Sequence, residues 1–444
     1  MAYIWWPSEP QLEESGFASI AHVPILFGSD WRYLRSANRY LRERALLEWI
    51  PNANLEPVTG SFNRKKYPTT RTLGNIVGQL CNFLEWVEWR GKDWEKLDYT
   101  EGVVKGYQAD MLAGRWSASA KGLSAGTVNG RVGEACSFLR WAAARRLRGP
   151  FTVISGQVDK RVESGTSSVG HFSRSIEVRA GAVRPDPKTL RIPTEEQVIQ
   201  WLKDVRILRG PTKALMCGLI LETGIRLQEA VQWRMDTLPL DKREWVCIGD
   251  KVQVTISFGT KGAKRYPGSL EGPRRVISIP LSLAKKLDAY RSFQRVILLG
   301  KWVKSAKTKE EYRLRRQQPQ PDQLFLSDFT GRPFSAQALY DGWKNVPSLP
   351  YKEWSPHLGR HFWACKELLN SQQEKVLSIG RQLDQFPDDW ITSQAMTDIQ
   401  LIIRPQLGHI SAETSQCYLQ WLHGAVSLTK YTREYHDFLD RLDG

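Results

Sequence analysis

Four short stretches of this sequence carry side chains that could work together on a phosphodiester. ETGIRLQEA holds Arg226 and Glu229 three residues apart on a helical stretch, where the carboxylate can fix the direction of the guanidinium. FGTKGAKRY puts Lys261 between Thr260 and Gly262 at the tip of a strand-turn-strand, with Lys264 a rival because hairpin register is not set by sequence. HLGRHFWA places His357 and Arg360 one helical turn apart on one face, just after a proline. RPQLGHISAETSQCYLQWL puts His409 after a Leu-Gly turn, with Tyr418 nine residues beyond it.

The set amounts to two arginines, one lysine, two histidines and one tyrosine, with no carboxylate cluster to hold a metal. Two guanidinium groups can clamp non-bridging phosphate oxygens and neutralise charge in the transition state. A phenol can supply the attacking oxygen if cations and a proton acceptor stand near it, because its unperturbed pKa is about 10. A lysine can protonate the departing sugar oxygen. Such a site calls for no metal and no cofactor, which argues against a metal-dependent nuclease.

Positioning these groups falls to a long C-terminal portion. Thr194-Glu-Glu-Gln197 opens a helix with a capping box, and ALMCGLILETGIRLQEAVQWRM reads as a buried helix broken at Thr223-Gly224 and resumed from Arg226. EWVCIGD, VQVTISF and RRVISIP are rich in β-branched residues and separated by turns, the pattern of a small antiparallel sheet. The remainder is mostly helical, apart from a basic insert KWVKSAKTKEEYRLRRQQPQ. At its end Leu428, Tyr431, Tyr435, Phe438 and Leu442 form one apolar stripe, suited to docking on a neighbouring protomer or to packing on its own chain.

Ahead of that portion lie two amphipathic helices. TTRTLGNIVGQLCNFLEWVEWRG aligns Leu73, Val77, Leu80, Leu84 and Val87, and SAGTVNGRVGEACSFLRWAAARRLRGP aligns Val128, Val132, Ala135, Leu139 and Ala142. Arg131, Arg140, Arg145, Arg146 and Arg148 sit on their outer faces and ends, as expected of a small helical domain with a basic, DNA-binding surface. The expected organisation is an extension with an amphipathic helix over residues 1 to 60, a helical domain over 61 to 150, a linker over 151 to 190, and a catalytic domain over 191 to 444. The fold class is mainly α with a small antiparallel β-sheet.

A net charge of +16, from 63 basic and 47 acidic residues, favours a polyanionic partner, nucleic acid first. Residues 1 to 60 are net −2, whereas 61 to 190 and 191 to 444 are each net +9, so two regions would touch it. The apolar share, 41%, is enough for packed cores. Six scattered cysteines without zinc spacing read as reduced thiols. With no signal-peptide pattern in MAYIWWPSEP and no long apolar run, the expectation is a soluble, cytoplasmic, DNA-associated protein without membrane contact.

In order and in last spacing, ETGIRLQEA, TKGAK, HLGRHFWA and LGHISAETSQCY resemble the arginine box, hairpin lysine, His-x-x-Arg box and histidine-to-tyrosine box of the tyrosine recombinases of the phage-integrase family. The likeness covers roughly residues 65 to 440, its first part resembling that family's core-binding domain. It implies a site-specific recombinase acting on double-stranded DNA, with Tyr418 attacking to leave a 3′-phosphotyrosine and a free 5′-hydroxyl. Arg226 and Arg360 would bind the phosphate oxygens, His409 would hydrogen-bond the phosphate, Lys261 would act as general acid, His357 would assist proton transfer and Glu229 would orient the first box. It further implies a homotetramer on two DNA sites and a task such as integration or excision of a mobile element. A DNA-relaxing or end-resolving enzyme with the same chemistry, or a catalytically silent DNA-binding protein, would share most of these residues. Three features depart from the pattern: glycine rather than leucine before Arg360, a basic stretch near 301 to 320, and extra residues over about 371 to 396.

Overall fold

The stripe beginning at Leu73 becomes the helix Thr70–Trp89 for local reasons: the Thr69 hydroxyl accepts the Thr72 amide at 3.2 Å, and Leu73, Val77, Leu80 and Val87 are buried. Ser124 caps Ala125–Ala144 in the same way, and all five residues of its stripe are buried. The structure, a computed structural model, describes the chain apart from residues 1, 8–11, 13, 18–19, 52–67, 163–171, 185–189, 263–268, 409–412, 429–434, 436–437 and 442–444. Its two compact units are formed by residues up to Lys188 and by Thr189–Gly262 with Leu270–Gly444.

In the first unit a third helical segment, Tyr99–Gln108 continued by Ala109–Leu112, packs between the two striped helices through Val103, Tyr107 and Met111. The helix Arg35–Ala45 joins the same core with Ala37, Tyr40, Leu41 and Ala45, so the amphipathic helix of the N-terminal extension is part of this unit's packing. Full burial of each aromatic here, Trp86 and Trp141 among them, stabilises the unit by about 1.5–3 kcal/mol. The stretch taken as a linker also carries regular structure: Ser155–Val162 and Phe172–Arg179 pair as an antiparallel hairpin. Beyond it Gly181 and Val183 accept hydrogen bonds from Gln108 and Asn129, which ties its end to the helices.

The second unit begins with the expected capping box, Thr194 Oγ1 accepting the Gln197 amide at 3.3 Å and Gln197 Oε1 accepting that of Thr194 at 3.1 Å. The three β-branched runs form one antiparallel sheet, Val246–Ile248, Lys251–Phe258 and Glu271–Pro280, in sequential order. Val254 faces Ile277 and Val252 faces Ile279, and these four pack against the buried helix Pro211–Thr223. The other side of that core is an indole cluster in which the Trp343 ring lies 4.4 Å from Trp201 and 5.6 Å from Trp354. The fold is thus mainly α with small antiparallel sheets. Among the described residues, no helix is long and apolar enough to cross a membrane.

Two regions set apart as insertions differ in how they are used. The basic stretch forms the helix Lys309–Gln317, capped by Thr308, with Arg315 over the Trp302 ring. The residues near 371 to 396 are structural: the helix Asp388–Asp398 contributes Ile391 and Ala395 to a core shared with Leu368, Leu407, Tyr418 and Leu422. At its end the buried Asp398 carboxylate accepts hydrogen bonds from Ser371, Gln372 and Lys375 of the helix Pro356–Leu377.

Candidate active site

Arg226 stands where the helix Pro211–Thr223 has ended and the short helix Leu227–Val231 begins, as that helix's capping residue and not inside it. Its backbone amide donates to Glu229 Oε2 at 2.7 Å and its Nη1 to Glu229 Oε1 at 3.0 Å. The carboxylate therefore fixes both the main chain and the side chain of Arg226. Glu229 is 1% exposed. A second guanidinium completes its neutralisation: Arg275, from the strand Glu271–Pro280, donates Nη1 to Oε1 and Nη2 to Oε2, both at 2.7 Å. Burial works to raise the Glu229 carboxyl, but the hydrogen bonds and charge of Arg275, with Arg226, outweigh it and hold the pKa below its ordinary value.

Arg360 comes from the first turns of Pro356–Leu377, a helix started by the Ser355 cap and Pro356. It is 1% exposed, and its Nη1 donates to Gly224 O at 2.7 Å while Nη2 donates to Leu407 O. Burial first, and then the neighbouring Arg226 charge, lowers its pKa to about 9. Arg226 Nη2 reaches Gly408 O at 3.4 Å, so both arginines lean on the Leu407–Gly408 turn. That turn is anchored from below by Gln406, which donates to Thr223 O and Ser278 O and accepts the Ser278 amide. Gly408 has a φ of +62°, and a Cβ there would lie 3.1 Å from Arg275 Cδ, so both backbone conformation and crowding favour glycine.

Tyr418 lies in the helix Glu413–His423 and is 0% exposed. Burial above all pushes its phenol well above the ordinary tyrosine value, so the free chain holds it protonated. Its Oη is 3.0 Å from Nδ1 of His361, and His361 Nε2 is 3.2 Å from Nε2 of His357. His357 is exposed and His361 half-buried. Burial, followed by the His357 and Arg360 charges, lowers the His361 pKa to about 4, so this ring is neutral near pH 7.

Of the residues expected in the site, Arg226, Glu229, His357, Arg360 and Tyr418 thus meet in the second unit. Lys261 is exposed in the turn beyond Lys251–Phe258. Lys264, His409 and Tyr431 lie outside the described residues, as do Leu442 and hence much of the C-terminal stripe; Tyr435 and Phe438 are exposed. In the first unit, Arg145 donates to the buried Glu43 at 2.8 Å and Arg148 donates to Trp94 O and Leu97 O, so these arginines, read as DNA contacts, are engaged within the protein, and Arg131 Nη1 stands 4.0 Å from Met111 Sδ. Arg146 is exposed, and Arg131 and Arg140 are half-buried.

Two residues of the cluster were missed in sequence. Arg275 shares strand parity with Ile277 and Ile279, both buried, so an inward-facing arginine with a carboxylate partner was foreseeable. His361 is one helical turn beyond His357 on the same face, which was the available signal. The glycine before Arg360 has a packing reason: a Cβ on Gly359 would stand 2.5 Å from Cη2 of Trp343, whose indole fills that space.

No protein-family model matches the chain, and no curated protein matches it. Solved structures do, and they are tyrosine recombinases. The XerH site-specific recombinase bound to palindromic difH substrate in a post-cleavage complex is 15% identical, with a TM-score of 0.44 over 81% of this chain and 80% of that one. A lambda integrase dimer bound to a COC′ core site is 12% identical, with a TM-score of 0.44 over 87% and 76%. The Tn1549 transposon integrase with a circular intermediate DNA is 14% identical, with a TM-score of 0.34 over 78% and 99%.

Proposed function

We propose that this chain is a site-specific DNA recombinase of the tyrosine type, which cleaves and rejoins strands through a 3′-phosphotyrosine intermediate. The observation that carries this reading is the meeting of Arg226, Arg360 and Tyr418, far apart in sequence, around the Leu407–Gly408 turn and the His361 ring. Three arginines against one buried carboxylate leave an excess of positive charge, suited to a phosphodiester that gains negative charge as it is attacked. A protein that only bound DNA would have no use for a phenol at this point.

In the proposed reaction Arg226 and Arg360 bind the non-bridging oxygens, His409 donates a hydrogen bond to the phosphate and Lys261 protonates the departing 5′ oxygen. Because Tyr418 is fully buried in the free chain, docking of DNA has to open a path to its Oη beside the His361 ring before attack. The phosphotyrosine keeps the energy of the broken phosphodiester, so the 5′-hydroxyl of another strand can reverse the step without ATP. Four protomers acting in pairs on two duplexes would then exchange strands, as in integration or excision of a mobile element.

The test is a nicked suicide duplex, enriched from a pool with randomised central base pairs and incubated in EDTA. A covalent protein-DNA adduct is expected, and Tyr418→Phe is expected to abolish it while DNA binding remains. An adduct that persists in Tyr418→Phe rejects this nucleophile, and rejoined recombinant strands distinguish a recombinase from an enzyme that only relaxes DNA.

A further inference from the structure

Resting on the tyrosine-recombinase reading, we propose that His361 is the group that takes the phenolic proton from Tyr418 during attack and passes charge outward to His357. A phenol buried among Trp363, Leu407 and Leu422 needs a partner on the protein to receive its proton. His361 Nδ1 stands at 3.0 Å from Oη, within the range for direct transfer, and a second step of 3.2 Å leads to the exposed His357. His357 bonds to His361 through Nε2, so the ring of His361 stands between Tyr418 Oη and an exposed imidazole.

Two tautomer assignments satisfy both contacts, and the one competent for attack has Nδ1 of His361 bare. In it the phenol donates to Nδ1, the Nε2 proton of His361 points at Nε2 of His357, and Nδ1 of His357 carries a proton toward the surface. On attack the Oη–H bond breaks and its proton goes to Nδ1 while the Oη–P bond forms. The P–O5′ bond breaks, and the leaving oxygen takes a proton from Lys261. His361 then passes its Nε2 proton to His357, which releases one from Nδ1, and both rings end neutral. The low pKa of His361 keeps it unprotonated before the step, and the forming Oη–P bond makes the phenolic proton acidic enough to move.

The full chain is tested on the suicide duplex enriched as above, in two forms: one with an ordinary scissile phosphate and one with sulfur replacing the bridging 5′ oxygen, a leaving group that needs no proton. His361→Asn keeps a polar group near the Nδ1 position but takes up no proton, and His361→Ala leaves room for added imidazole. Both variants are expected to bind the duplex as the unmodified protein does and to form adduct about a hundredfold or more slowly, the usual contribution of a positioned base. Sulfur substitution should rescue Lys261→Ala and leave both His361 variants slow, and imidazole should speed His361→Ala. Adduct formation by His361→Asn that is undiminished or faster, or restored by sulfur, overturns the proposal while the Tyr418 assignment stands. Failure of the unmodified protein to form any adduct overturns the recombinase reading and this proposal together.

Discussion

Arg275 holds Glu229 by both ends of its guanidinium, Nη1 to Oε1 and Nη2 to Oε2, each at 2.7 Å. Because Glu229 also anchors the amide and side chain of Arg226, one carboxylate sets the position of two cations. Removing Arg275 takes away two of the hydrogen bonds to a buried carboxylate and leaves Arg226 to neutralise it, so Arg275→Met is expected to cost about 1–3 kcal/mol in urea unfolding. The double variant Glu229→Gln with Arg275→Met removes both charges and should cost less than the sum of the singles, with a coupling of about 0.5–3 kcal/mol. Strict additivity would show that the two residues do not act as a unit.

The contrast between what sequence shows and what it hides follows from the range of the interactions. Arg226 with Glu229, a capping pair, and His357 with Arg360, one helical turn apart, are legible because each pair lies inside one short stretch, and the sheet is legible because its strands alternate β-branched residues around turns. Arg275 meets Glu229 across 46 positions: strand parity turns it inward, but which carboxylate it meets is set only once the sheet packs beside the helix Leu227–Val231. The hairpin Ser155–Val162 with Phe172–Arg179 is hidden in sequence because glycine and serine dominate its surroundings and mask a short alternation. The role of the segment 371 to 396 is not legible in sequence because its apolar residues, Ile391 and Ala395, find their partners on Pro356–Leu377 and on the tyrosine helix.

Gly359 and Trp343 make up one filled volume, divided between a missing side chain and a large one. Gly359→Leu is expected to force the indole aside and destabilise the protein by about 1–3 kcal/mol. Shrinking the indole in the same chain, Trp343→Leu with Gly359→Leu, should cost less than the two separate losses in thermal unfolding. If Gly359→Leu alone is neutral, the packing account of this glycine fails.

Asp398 joins the extra helix to the helix Pro356–Leu377 through Ser371, Gln372 and Lys375. Asp398→Ala leaves those donors without their acceptor and is expected to lower stability by about 1–3 kcal/mol. Since the same helix backs Tyr418, hydrogen exchange in Glu413–His423 should quicken in this variant. Exchange unchanged there would mean that the extra helix carries no load for the tyrosine.

In the first unit, burial tends to raise the Asp110 carboxyl, yet hydrogen bonds from Arg90, Trp86 and Arg115 prevail and lower its pKa to about 2. A carboxyl depressed in the folded state contributes stability that is present above its unfolded value of about 3.9 and is lost as pH falls through the folded one. Asp110→Asn is therefore expected to be less stable than the unmodified protein near pH 7, with the gap narrowing between pH about 4 and about 2. A gap that stays constant over this window, in urea unfolding followed by tryptophan fluorescence, contradicts the assignment.

Arg146 and Arg148, two residues apart, should separate DNA binding from folding. Arg148 is committed to Trp94 O at 2.7 Å, to Leu97 O and to the Phe151 ring, so Arg148→Ala is expected to act on stability, by about 1–3 kcal/mol for carbonyls left unsatisfied. Arg146 is exposed at the end of the helix Ala125–Ala144, where a guanidinium can reach a phosphate. Arg146→Ala should leave unfolding unchanged, weaken duplex binding, and reduce the slope of log affinity against log salt by about 1. Salt titrations of the two variants on one duplex check this directly: an unaltered slope for Arg146→Ala removes it from the DNA contact.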